Sequence, residues 1–551
     1  MSVAPVRPKQ ANTPSGGSEP SAAGERGGSM SAAPGRPKPA NTPSGGSEPS
    51  AAGERGGSMN TRVVLGPFNR IEGDLEVQLE VAGGRVASAR VNAPMFRGFE
   101  MTLVGREPMD ALTIAPRICG ICSVSQSVAA ARALANLSGV EMPANGQLAH
   151  NLMLGCENLA DHLTHFYTFF LPDFTRAQYR AQPWFSVAQQ RFGAVLGGTG
   201  TCGEQVRAAL VARARWLELM GALGGKWPHT GAILPGGSSR TLDTAERLHL
   251  GARVREMRDF LQRQVWGLPL ETVLALTSWD ELLVALERAP NSDVAWWLRF
   301  AQDLQLGTLG PGPGRLLSYG AYPTLDGGLS WAQGLVAASS PPQALDMDAI
   351  SEDVHSSWLH PGADATPRHP WQGSTEPCAD KPGAYTWNKA PRWSGAVVET
   401  GALARQVVDG QPLVRATHAQ WGANVLTRVL ARLVEMPRIV LCMEQWLGAL
   451  RNHEPFHRQQ SLPAQGAGVG LCEAARGALG HWLRVEDGRI SHYQIIAPTS
   501  WNFSPRDHHG TPGALEAALV GAPMDADDPQ QSTAVQHIVR SFDPCMVCTV
   551  H

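Results

Sequence analysis

Two Cys-x-x-Cys pairs constrain this 551-residue sequence more than any other feature. The first is Cys119-Gly120-Ile121-Cys122 and the second Cys545-Met546-Val547-Cys548, with more than four hundred residues between them. The motif lets two thiolates reach one ion from the same side of a turn. Two pairs make four soft ligands, a set suited to zinc, an iron–sulfur cluster or another thiophilic metal. Zinc ribbons separate their pairs by about 15–20 residues, so a metal shared here has to join the two ends of a large fold. The other five cysteines, Cys156, Cys202, Cys378, Cys442 and Cys472, stand singly and read as core or loop thiols rather than a disulfide framework.

Composition narrows the class. A net charge of −3 with 17% charged residues argues against nucleic acid or an anionic membrane as the main partner. No run approaches the roughly 18 apolar residues of a spanning helix, and the N-terminus lacks a signal peptide's apolar region. A cytoplasmic, soluble protein is expected. Residues 1–59 are rich in Pro, Gly, Ser and Ala, and a 20-residue unit at 11–30 recurs at 40–59. The unit has nothing to bury, so this stretch is expected to be a disordered tail, with Met30 and Met59 as possible later starts.

From Asn60 the chain reads as one large domain, 60–551, of helix-dominated α+β class, with a central helical bundle and peripheral β-sheets. Alternation such as Leu75, Val77, Leu79 and Val81, then a Gly83-Gly84 turn, predicts a β-meander over 61–92. Helices are expected at 123–137, 147–170, 204–223, 245–265 and 422–436. Irregular surface loops are expected at 307–315 and 361–384, and strands at 438–442 and 483–497.

Several separate stretches together resemble the large, catalytic subunit of the nickel–iron hydrogenases. They are RIEG at 70–73, FRGFE at 96–100, RICGIC at 117–122, YTWNKAPRW at 385–393, ARG at 475–477, PTSWNFSPRD at 498–507 and DPCMVC at 543–548. The likeness runs from about Val63 to His551. It implies that Cys119 and Cys545 are terminal nickel ligands, while Cys122 and Cys548 bridge nickel to iron that also carries carbon monoxide and two cyanide ligands. It further implies that Glu72 takes a proton from Cys545, and that Arg476, oriented by Asp161 and Asp543, stands over the metals. Pro498 and Thr499 match positions that pack on or donate to the cyanides. Glu100, His551 and the carbonyl of Ile495 match the ligands of a second divalent ion, magnesium or iron. Bare cysteine pairs read without the motifs would fit a zinc tetrathiolate.

Three departures from the usual family pattern resemble its hydrogen-sensing, regulatory subgroup. Gln126 stands where most members have His, and the sequence stops at His551 without a C-terminal peptide. Ile121 and Phe169 replace a smaller Val and Leu at gas-channel positions. The expected function is hydrogen splitting in a sensor that reports to a histidine kinase. Electrons would leave through iron–sulfur clusters in a separate small subunit, since this chain has no spare cysteine cluster. An energy-conserving uptake hydrogenase is the alternative, and a non-catalytic scaffold related to respiratory complex I is a third reading.

Overall fold

Leu75, Val77 and Leu79 are fully buried, and their alternation with more exposed neighbours produces the first sheet. Strands β1 (Thr61–Leu65), β2 (Glu76–Ala82) and β3 (Arg85–Asn92) pair antiparallel in sequence order, as the alternation predicts. The computed structural model describes residues 61–193, 202–337, 340–362, 365–525, 528, 532–549 and 551. These belong to one compact unit, Ser58–His551; the tail expected over 1–59 lies outside the described residues.

Helix α1 (Ser123–Ser138) begins directly after Cys122, and α2 (Ala144–Thr164) follows, running on into a π-helical turn at His165–Phe170. The expected helix over 204–223 is two helices, Glu204–Trp216 and Glu218–Gly224, broken at Leu217. Thr244–Phe260 fills the expected 245–265 helix and ends in a second π-turn, Leu261–Trp266.

Helix α3 (Val425–Ala449) corrects the sequence reading. A strand was expected at 438–442, after the helix breaker Pro437, but the helix runs straight through. Proline removes one helical hydrogen bond at a cost of about 3 kcal/mol. Met436, Ile439, Val440 and Met443 around it are all fully buried, at roughly 1.5–3 kcal/mol each. Burial on both sides of the proline outweighs the break.

The second sheet places β4 (Gly466–Ala474), β5 (Gly477–Glu486) and β6 (Arg489–Ile496) antiparallel in that order. The strand expected at 483–497 is therefore the end of one strand and all of the next. Helix α1 lies almost backbone to backbone on β4. Its Ala129, Ala130, Ala131 and Ala133 are fully buried, and a Cβ added at Gly470 would come within 1.9 Å of the Ala129 carbonyl oxygen. Glycine and alanine leave no side chain to hold the two apart. The described residues of 361–384 are irregular except for a short 3-10 turn, Pro370–Gln372, but they are not all surface, because Thr375 is buried against Glu100. The loop expected over 307–315 is bounded by a 3-10 turn, Leu306–Thr308, and the strand Arg315–Ser318. Helix α4 (Thr533–Ser541) then delivers the chain to Cys545. No helix among the described residues is long and apolar enough to cross a membrane.

Candidate metal centre

The two cysteine pairs meet in the interior. Cys119 Sγ lies 3.3 Å from Cys545 Sγ, Cys122 Sγ 3.2 Å from Cys548 Sγ, and Cys122 Sγ 3.8 Å from Cys545 Sγ. All four side chains are buried, and their sulfurs lie within 4.8 Å of one another. Thiolates about 2.3 Å from a tetrahedral ion would stand about 3.8 Å apart. Cys122–Cys545 matches that, and Cys119–Cys545, Cys122–Cys548 and Cys545–Cys548, the last at 3.1 Å, are drawn closer still, so all four sulfurs are near enough to share a metal. On donor chemistry alone, zinc and nickel both fit.

Each pair is held differently. A 3-10 turn, Ala115–Ile118, leads into Cys119, and Arg97 binds the carbonyls of Arg117 and Ile118. Cys122 is the N-cap residue of α1. The second pair is in a 3-10 turn, Met546–Cys548, pinned by the RIEG segment lying alongside it. Glu72 N donates to Pro544 O at 3.3 Å and Met546 N to Glu72 O at 2.7 Å. Gly73 sits at φ +80°, where a Cβ would come 2.9 Å from Val547 N, so only glycine passes the cysteine turn this closely. Thr499 Oγ1 accepts from Cys545 N at 3.1 Å, and Pro498 opens the short helix Pro498–Asn502 that carries Thr499.

Half-buried Glu72 is thus tied to the cysteine turn through its backbone. Burial, then the charge of Cys119, pushes its carboxyl above the ordinary range, with Arg476 and Arg97 opposing. Buried Arg476 is gripped on both sides. Nη1 donates to Asp161 Oδ2 at 2.6 Å, Nη2 to Asp161 Oδ1 at 3.2 Å and to Asp543 Oδ1 at 3.1 Å, and Nε to the Asp543 carbonyl at 2.9 Å. Against the cost of burial, Asp161 and Asp543 keep this guanidinium charged. Asp543 holds a left-handed φ of +58°, unusual outside glycine and kept by these bonds.

Glu100, Ile495 and His551 also come together. Ile495 N donates to Glu100 Oε1 at 2.7 Å, and His551 Nε2 meets Ile495 O at 2.9 Å. His551 is buried rather than frayed, and burial lowers its pKa to about 4. Thr375 and Lys389 bind the other Glu100 oxygen, Lys389 at 3.2 Å, and Lys389 also reaches Gln494 at 2.6 Å. Adjacent oxygen and nitrogen ligands about 2.1 Å from an octahedral ion are about 3.0 Å apart, so the His551–Ile495 spacing suits a small divalent ion. Lys389 already balances part of the Glu100 charge.

Ile121, between the first two cysteines, is half-buried and packs on the core. Phe169 is half-buried in the π-turn, its carbonyl accepting from Arg70 at 3.2 Å. Gln126 Oε1 accepts from His481 Nε2 at 2.8 Å. Sequence reasoning missed Thr375, Lys389 and two further carboxylates. Asp173 ties the RIEG turn to α4, binding Arg70 and taking Arg540 Nη1 at 2.9 and 2.7 Å, while Arg540 Nη2 holds Asn69. Glu157 lies one helical turn before Asp161 on α2 and caps α1. That i,i+4 spacing of acids was the one available sign.

Comparison with known proteins names the metal. A family model described as nickel-dependent hydrogenase matches residues 97–179 and 207–551. The chain is 30% identical to the periplasmic [NiFeSe] hydrogenase large subunit of Desulfomicrobium baculatum, over 89% of this chain and 95% of that one. It is 29% identical to the uptake hydrogenase large subunit of Azotobacter chroococcum mcd 1, with the same two coverages. The reduced Ni-Fe-Se hydrogenase of Desulfovibrio vulgaris Hildenborough superposes with a TM-score of 0.75 at 29% identity, covering 89% of this chain and 100% of that one. The chain belongs to the nickel-dependent hydrogenases, as a large subunit, and its four converging cysteines are those the family resemblance singles out.

Proposed function

We propose that this large subunit splits hydrogen at a nickel–iron centre with Cys119 and Cys545 as terminal nickel ligands. Cys122 and Cys548 would hold the iron side of that centre, where the family resemblance implies carbon monoxide and two cyanides as further ligands. The observation that carries the reading is the convergence of four buried sulfurs from opposite ends of the chain. When bound, the centre supplies the Lewis-acid and redox chemistry that polarises hydrogen for heterolysis.

The protein's own groups handle the rest. The Cys545 sulfur receives the proton, and Glu72 takes it onward; a carboxyl held above its ordinary range by burial is suited to alternate between its two states. Arg476, locked by Asp161 and Asp543, presents a fixed cation to the substrate side of the site. Pro498 and Thr499 would line the iron's cyanide ligands. Glu100, the Ile495 carbonyl and His551 would hold a divalent ion, magnesium or iron, that ties the C-terminus to β6. Among the described residues the four site cysteines are the one group of cysteines gathered for a metal, which supports electron transfer through iron–sulfur clusters in a separate small subunit. The unit from residue 60 onward carries all of this chemistry.

Ile121, Phe169 and Gln126 support a cytoplasmic hydrogen sensor that reports to a histidine kinase. Isoleucine and phenylalanine are each bulkier than the residues they replace, and in close-packed protein such volumes close a passage to oxygen before hydrogen. A second reading, an uptake hydrogenase, is favoured by the relative of that name. Slow hydrogen oxidation with an artificial acceptor supports the sensor; turnover near the family's ordinary range, about 10 s⁻¹ or more for a typical enzyme, supports uptake. Ile121→Val with Phe169→Leu is expected to keep hydrogen binding while activity decays in air. Air tolerance equal to the parent's would remove both residues from the gate.

A further inference from the structure

Helix α1 starts in an unusual way. Its N-cap residue is Cys122, and that side chain makes no capping bond. An N-cap side chain ordinarily accepts from the second or third amide of its helix, here those of Val124 and Ser125. Both are instead taken by Glu157, reaching across from α2. Val124 N donates to Oε2 at 2.8 Å and Ser125 N to Oε1 at 2.9 Å. Ser125 Oγ adds a bond to Oε1 at 2.9 Å and Trp227 Nε1 one to Oε2 at 3.1 Å. Glu157 is 1% exposed, and burial pushes its carboxyl up to about 7 against the Val124 and Ser125 amides, so both oxygens are bound to the start of α1 with Trp227 as one further donor.

The same segment braces the first cysteine pair from outside. His229 N donates to Ser123 Oγ at 3.1 Å, and Pro228 lies 3.9 Å from where a Cβ on Gly120 would be. One turn along α2 from Glu157, Asp161 grips Arg476. A single helix face therefore sets both the first cysteine pair and the guanidinium above the site.

We propose that Glu157 is a positioning residue that caps α1 in place of Cys122. The Cys122 sulfur is thereby left free of its own helix's N–H groups and fully available to the metals. Sulfur that accepts N–H bonds gives up electron density, so a metal bound to it donates less to carbon monoxide and cyanide. The buried carboxylate, at the positive end of the helix, keeps the Cys122 sulfur electron-rich. This role rests on the nickel–iron reading of the four cysteines.

The test uses holoprotein purified with its partner, measured by nickel content, infrared spectroscopy and amide exchange. Glu157→Gln keeps the side chain's shape and removes its charge. The expected result is parental nickel content with the carbon monoxide and cyanide bands moved to higher wavenumber, a signature that a purely structural role would not give. Glu157→Asp, which restores charge at shorter reach, is expected to bring the bands part of the way back. Amides 124 and 125 are expected to exchange about fivefold faster in Glu157→Ala, as for loss of a helix cap. Should Glu157→Gln fail to load nickel, Trp227→Phe, which deletes one donor to the same carboxyl and so favours its neutral form, is expected to move the bands the same way by a smaller step. Bands unmoved in a nickel-loaded Glu157→Gln, or in Trp227→Phe where that is the variant read, overturn the proposal. A parent protein without nickel overturns the metal reading beneath it, which keeps the two failures distinct.

Discussion

The two cysteine pairs carry the same motif but are held by different means. The first sits on regular structure, with Cys122 opening α1 and α1 pressed backbone to backbone on β4. The second has only a 3-10 turn of its own and takes its position from distant partners. The RIEG segment pairs with it, Thr499 holds the Cys545 amide, and Arg476 holds Asp543. One pair is placed by a helix, the other by contacts that exist only once the whole domain has folded. A metal bridging the two therefore reports that the fold is complete, and it adds to stability by binding only the folded chain.

Five substitutions break or sharpen that contrast, in order of expected effect. Cys545→Ser is expected to abolish nickel-dependent hydrogen activation and to remove nickel, because a hydroxyl is a poor substitute for a soft thiolate; Cys122→Ser is expected to do the same. Both are read by metal analysis and hydrogen uptake, and normal activity in either would contradict the shared site. Arg476→Lys is expected to keep the metals but lower the rate about a hundredfold, since one ammonium cannot reproduce a planar fork gripped by two carboxylates. An unchanged rate would take Arg476 out of the mechanism.

Asp173→Asn tests the distant support of the second pair. It leaves Arg540, fully buried, and Arg70 without their carboxylate, and removing one partner of a buried pair costs about 3–5 kcal/mol. The expected outcome is a lower denaturant midpoint with less nickel incorporated. A midpoint within error of the parent's would show that the RIEG turn does not depend on this tie. Thr499→Val is the mildest. It deletes the acceptor for Cys545 N, at about 1–2 kcal/mol, and should speed amide exchange at Cys545 while leaving α1 unaffected. Equal effects on both pairs would erase the contrast.

The same contrast explains what could be read from the sequence. Cysteine chemistry is visible in the residues themselves, while α1 announces itself through its alanines and α2 through apolar spacing. The acids around Arg476 and the Glu100–Ile495–His551 group became legible only through the family's motifs, since their partners are hundreds of residues apart, as with Arg476 and Asp161. The strand expected at 438–442 failed because the burial that carries α3 through Pro437 is not visible in the sequence. Thr375 and Lys389 were missed for a related reason. Each meets Glu100 across more than 270 residues, and neither lies on a periodic face that would mark it. Glu157 was within reach, four residues before Asp161 on a predicted helix, but an acid on a helix usually faces water.

The central claim is that sulfurs from the two ends of the chain hold one nickel–iron centre. Infrared spectroscopy of the purified protein, with nickel and iron quantified in the same sample, tests it most directly. The expected result is one carbon monoxide band and two cyanide bands together with about one nickel per chain and at least as much iron. Zinc in the four-cysteine site, with no bands from either diatomic ligand, would contradict it.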